Sequence, residues 1–100
     1  MEYIYKLVIG NDITKSYHYI GRTNKLNVRY LSHKKSCYNR SKKSYHRKVY
    51  KKIRELGIKK DNFKEYVKMR LVATDTKENI RKLERLLINK EHSYNLNMIL

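Results

Sequence analysis

The stretch EYIYKLVI at residues 2–9 alternates, with Tyr3, Tyr5, Leu7 and Ile9 on one side and Ile4, Lys6 and Val8 on the other. Period-two alternation of β-branched and aromatic residues is the pattern of a strand with two working faces. GNDITKS follows, rich in residues that tolerate turn backbone, and YHYIGR at 17–22 reads as the returning strand. The chain therefore opens on a β-hairpin with a longish loop, which commits the domain to an antiparallel sheet. If odd residues pair with odd, Tyr5 and Tyr19 share a face; a one-residue slip would separate them. Each strand carries a Y-x-Y pair, Tyr3 with Tyr5 and Tyr17 with Tyr19. Such phenols are either half-buried sheet aromatics or a pair put to chemical use, and the hairpin alone does not choose.

TNKLNVRYLSHKKS at 23–36 predicts a helix with Thr23 or Asn24 as its N-cap. Arg29 and His33 are one turn apart on it and share a face, while Val28 and Leu31 point elsewhere. CYNRSKKS reads as a basic loop. A second helix from about Ser44 carries Val49, Tyr50, Ile53 and Leu56 as its apolar stripe, with Gly57 as its C-terminal cap. IKKDN is a turn, and residues 63–73 alternate again, predicting a third strand with a basic outer face. A last helix opens with Asp75 and Glu78 at capping-box spacing and buries Ile80, Leu83 and Leu87, flanked by Leu86 and Ile88. The order is β-β-α-α-β-α: an α+β fold with a small three-stranded antiparallel sheet flanked by helices.

With 100 residues, and without proline or a flexible linker, the chain reads as one domain spanning 1–100. Its 25 Lys and Arg against 9 Asp and Glu leave a net charge of +16. A field of that size opposes folding and calls for an anionic partner, nucleic acid first and an acidic membrane surface second. The single cysteine, Cys37, excludes an internal disulfide and a cysteine-based metal site, and fits an intracellular, reducing compartment. No apolar run is long enough for a signal peptide or membrane span.

Glu84 sits inside the apolar stripe of the last helix, four residues after Ile80 and three before Leu87. A carboxylate there needs a compensating arginine, a hydrogen-bond network or a cation. Taken alone, Arg29 with His33 is a solvated basic face or a site, and His46 is a partly buried imidazole at the edge of the second helix's stripe. His18 and His92 have no spacing that suggests zinc. The paired lysines, such as Lys34-Lys35 and Lys51-Lys52, suit phosphate contact.

Together these residues resemble the GIY-YIG nuclease superfamily. The first motif is YIY at Tyr3 to Tyr5 and the second YIG at Tyr19 to Gly21; Arg29 follows eight residues past the glycine, then His33, Glu84 in LERLLI, and Asn95 in SYNLN. Tyr3 stands where the family name has glycine. Tyr17 stands where many relatives have lysine, leaving Lys15, His18 or Lys6 to supply that charge. The resemblance implies a DNA endonuclease with one divalent cation, Mg²⁺ or Mn²⁺, held by Glu84. Arg29 would clamp a phosphate oxygen, Tyr5 would deprotonate the attacking water, and Tyr19 would hold phosphate or water. His33 would assist, while Asn95, Lys15 and His46 would contact or orient substrate. A phenol acting as base needs nearby positive charge, since its ordinary pKa is about 10.

The implied partner is duplex DNA. With little chain after Asn95, target choice is expected from the domain itself, DNA shape or an additional targeting partner. Cutting both strands would take a dimer or two successive events. The competing function is a basic nucleic-acid-binding module that keeps the fold without cutting, and a weaker one is assembly with structured RNA. A carboxylate facing a polyanion favours the nuclease, because it weakens phosphate binding unless a metal reverses its sign.

Overall fold

The structure, a computed structural model, describes residues 1–10 and 17–90, the last two by backbone alone. Strand β1 (Glu2–Ile9) is central and pairs antiparallel with β2 (Tyr17–Thr23) and with β3 (Val67–Asp75), giving the order β2-β1-β3. The hairpin register sets Tyr5 opposite Gly21, Leu7 opposite Tyr19 and Ile9 opposite Tyr17. Odd pairs with odd, so Tyr5 and Tyr19 share a face.

That face is covered by helix α1 (Leu26–Tyr38), helix α2 (Lys48–Glu55) and the single turn α3 (Phe63–Tyr66). Tyr5, Leu7, Ile9, Cys37, Val49, Tyr50, Ile53, Phe63 and Val67 form the larger core there. The other face meets helix α4 (Lys77–Lys90), where Ile4, Ile20 and Ile80 form a second cluster with Ala73, Leu83 and Leu87 against it. Leu86 points outward, 63 % exposed. The architecture is the expected α+β, with one helical turn more than the sequence pattern gave. Among the described residues no helix is long and apolar enough to cross a membrane.

Several local expectations are corrected by competing physics. Residues 63–66 are helical rather than the start of β3, because burying Phe63 beneath Tyr30 and Tyr38 takes a turn there. Within β3 the register slips between its pairings with Ile4 and Tyr5: Ala73 faces Ile4 while Leu71 faces Tyr5. Val72 is thus the extra residue of a bulge, and the bulge moves Ala73 to the α4 face. Helix α1 begins after Lys25 with no side-chain cap; Thr23 Oγ1 instead accepts the Lys25 amide at 3.1 Å and shapes the turn out of β2. It also runs to Tyr38, whose hydroxyl donates to the Ile58 carbonyl, so CYNRSKKS is helical at its start. A 3-10 turn (Lys43–His46) holds the residues expected to open α2. Asp75 closes β3, and its Oδ1 accepts from the Thr76 amide and the Asn79 side chain, so Asn79 takes the place expected of Glu78.

The end of α2 fits its expectation. Gly57 adopts φ of +78°, its amide bonds to the Arg54 carbonyl, and the Ile58 amide reaches back to Ile53. This is the two-bond helix stop that favours glycine in the left-handed region.

Candidate active site

Helix α1 is inverted relative to an ordinary amphipathic helix. Val28 and Leu31 are 61 % and 57 % exposed, whereas His33 and Ser36 are buried and Arg29 is half-buried. Exposed apolar residues need no special account, but a buried imidazole and guanidinium do. Here their partners come from both β1 and α2. Tyr5 Oη lies 2.6 Å from His33 Nε2, and Arg29 Nε donates to the same oxygen at 3.2 Å. On the other side of the ring, His33 Nδ1 lies 2.7 Å from Tyr50 Oη. Tyr19 closes the cluster, its ring centroid 5.4 Å from that of His33 and 6.4 Å from that of Tyr5.

Burial sets the protonation states. It pushes the Tyr5 phenol well above its ordinary value, Tyr19 adding to the effect and Arg29 opposing it. Burial, with Arg29 and Arg47 beside it, lowers His33 to about 3, so the imidazole is neutral at pH 7. Burial also raises the Tyr50 phenol. The site at rest is two neutral phenols bridged by a neutral imidazole, with a guanidinium on the outer phenol.

Gly21 has a steric role in this arrangement. A Cβ at Gly21 would stand no more than 3.0 Å from Oη, Cζ and Cε1 of Tyr5. The Tyr5 ring therefore lies across the Gly21 backbone, and glycine is what lets the phenol reach Arg29 and His33. Gly21→Ala is expected to lower stability by about 1–3 kcal/mol through overpacking. Thermal unfolding checks it, and an unchanged melting temperature would refute the close approach.

Glu84 lies on the other face of the sheet from the phenols. Its Oε1 is 3.3 Å from Arg22 Nε, both side chains being partly exposed. Arginine is thus one of the compensations that a carboxylate in this stripe called for. Burial outweighs Arg22 and holds the Glu84 carboxyl above its ordinary value. Arg81, Arg85 and Ile88 complete the cleft around the pair. Gly21 and Arg22 are consecutive on β2, an edge strand of the sheet, so Tyr5 and Glu84 are served by adjacent residues on opposite faces.

Among the described residues no three His, Cys, Asp or Glu side chains gather as a ready-made metal cage. Glu84 still fits a hard divalent cation: Mg²⁺ is commonly bound through one or two carboxylates with water and substrate phosphate completing the shell. Arg22 would have to yield or share the carboxylate.

The structure thus brings together Tyr5, Tyr19, Arg29 and His33, and sets Glu84 on the far side of β2. His46 lies apart in the 3-10 turn, exposed and edge-on to Tyr45 at 5.2 Å. Lys15 and Asn95 lie outside the described residues. Tyr17, standing where the resemblance calls for lysine, has the Lys52 ammonium 4.9 Å above its ring, so a lysine charge arrives from α2. Tyr50 and Arg22 were not singled out from the sequence. A tyrosine in an apolar helical stripe was the available signal for the first, since a buried hydroxyl must find a partner. Comparison with protein-family models, curated proteins and solved structures finds no match.

Proposed function

We propose that the protein is a divalent-metal-dependent endonuclease that hydrolyses phosphodiester bonds in duplex DNA, as its GIY-YIG-like residue pattern implies. The observation that carries this reading is the inverted helix α1. It spends two of its inward positions on Arg29 and His33, and both converge on one phenol oxygen from β1. A basic nucleic-acid-binding surface needs cations outside, not an imidazole and a guanidinium turned inward onto a tyrosine.

In this reading Arg29 spends one donor on Tyr5 and directs its others at a phosphate oxygen. Tyr5, in its base form, takes a proton from the attacking water, and Tyr19 steadies that water or the phosphate. Glu84 would hold the cation, which when bound offsets charge on the scissile phosphate and leaving oxygen. The DNA backbone would lie along the β2 edge, reaching Tyr5 and Arg29 on one side and Glu84 on the other. The surplus of 16 positive charges supplies steering and backbone affinity.

One observation favours the second reading, a binding module that does not cut. Glu84 already has Arg22 as its counter-ion and needs no cation to explain it.

Supercoiled plasmid separates the two. With Mg²⁺ or Mn²⁺ the purified protein is expected to nick it; chelator should abolish nicking, and Glu84→Ala should slow it by about 10²-fold or more while DNA binding persists. DNA that is bound but uncut with every divalent metal would overturn the nuclease and leave the binding module.

A further inference from the structure

The proposal that follows rests on the nuclease reading only for its functional consequence. Tyr50, on α2, is 17 residues from His33 in sequence, and its Oη lies 2.7 Å from His33 Nδ1 in the buried core. No substrate-facing role explains it, since Tyr50 is 1 % exposed and sits behind the imidazole as seen from Tyr5. A neutral imidazole carries one N–H and one lone pair, and its partners decide which nitrogen holds which.

Two proton arrangements satisfy the Tyr5–His33–Tyr50 chain. In one, Tyr5 donates to Nε2 and Nδ1–H donates to Tyr50; the Tyr5 proton is then locked inward. In the other, Tyr50 donates to Nδ1 and Nε2–H donates to Tyr5 Oη. That oxygen then accepts from both His33 and Arg29, and its own O–H is left directed away from them. The second has a source at its far end, because the Ser36 side chain hydrogen-bonds Tyr50 and stabilises negative charge on its oxygen, as a donor does. Every bond from Ser36 through Tyr50 and His33 then points the same way, which is the arrangement in which each polarises the next.

We propose that Tyr50 is a positioning residue that fixes His33 as the Nε2–H tautomer, so that His33 and Arg29 form a two-donor cradle for the Tyr5 phenolate. The proton balance is simple. Tyr5 releases its O–H proton to solvent, the phenolate is held by Nε2–H and by Nε–H of Arg29, and it then takes one proton from the attacking water. His33 neither gains nor loses a proton, which agrees with its burial beside Arg29 and Arg47. The other groups that face this chain are Tyr19 from β2 and Ser36 from α1.

Nitrogen NMR of ¹⁵N-histidine-labelled protein, without metal or DNA, tests the tautomer directly. The His33 signals are assigned by their disappearance in His33→Gln. Nε2 is expected to appear as the protonated nitrogen and Nδ1 as the bare one. In Tyr50→Phe, which keeps the ring and removes only the hydroxyl, the proton should move wholly or partly to Nδ1. Cleavage by that variant should fall by about 10–100-fold, in kcat rather than KM, with its rise in rate displaced to higher pH. A wild-type His33 protonated at Nδ1, or a tautomer unchanged in Tyr50→Phe, would overturn the proposal. The spectrum is read without substrate, so it decides the tautomer whether or not the protein cuts DNA.

Discussion

Tyr5→Phe should bind plasmid DNA as tightly as the wild type, within about twofold, and cleave it about 10²–10⁴-fold more slowly. The substitution removes one oxygen and nothing else. The ring still fills its place in the core over Gly21, so the hairpin and the α1 contact keep their shape. What is lost is the acceptor at which Arg29 Nε and His33 Nε2 converge. Leaving those two groups facing a C–H should also lower stability by about 1–3 kcal/mol, which a melting curve at the assay temperature would show to be tolerable or not. The pH profile sharpens the test. The phenol is raised above its ordinary value by burial and by Tyr19, so its base form is a small minority at neutral pH. Wild-type cleavage should therefore climb about tenfold per pH unit through the neutral range, while the residual rate of Tyr5→Phe should not follow that slope. A variant retaining more than about a tenth of the wild-type rate would remove Tyr5 from the chemistry.

The parts of this site that local pattern reveals are those set by strand alternation and helix periodicity. Odd-to-odd pairing placed Tyr5 and Tyr19 together, and the stripe of Ile80, Leu83 and Leu87 located α4 with Glu84 beside it. Arg29 and His33 were recognisable as neighbours by their one-turn spacing, but not as inward-facing. Helical periodicity assigns the apolar side to the core, and in α1 that rule is reversed because Tyr5 and Tyr50 make burying the polar side favourable. Those partners come from two other elements, and no window along the chain contains them. His46 and Tyr50 illustrate the same limit. Sequence favours the imidazole as the functional group near α2, yet the structure leaves His46 exposed and puts the tyrosine against His33. The bulge at Val72 was hidden because 67–71 alternates correctly and a single inserted residue leaves no compositional mark. Glu84 announced its need for compensation, but only the fold could supply Arg22 as the partner.

The buried imidazole also makes the fold itself sensitive to acid, by an amount that rivals a small domain's whole stability. In the unfolded chain His33 titrates near 6.5, whereas in the native core burial, Arg29 and Arg47 hold it to about 3. Between those values the unfolded state binds one proton that the native state refuses. Stability is therefore fully present above about pH 6.5 and declines as pH falls, by about 1.4 kcal/mol per unit. By pH 5 the loss from this residue alone is about 2 kcal/mol, and it levels off only near pH 3 after about 5 kcal/mol, against a total of about 5–15 kcal/mol for a domain. Denaturant midpoints measured from pH 7 to pH 4.5 should show this slope in the wild type. In His33→Gln the slope should be smaller by the equivalent of about one proton, even though the variant is less stable at pH 7 for want of a well-placed partner to Tyr5 and Tyr50. The carboxylates and the other histidines contribute to both proteins alike, so the difference in slope isolates His33. Coincident slopes would mean that the imidazole takes up its proton within the fold. The neutral, singly protonated ring on which the cradle for Tyr5 depends would then be lost.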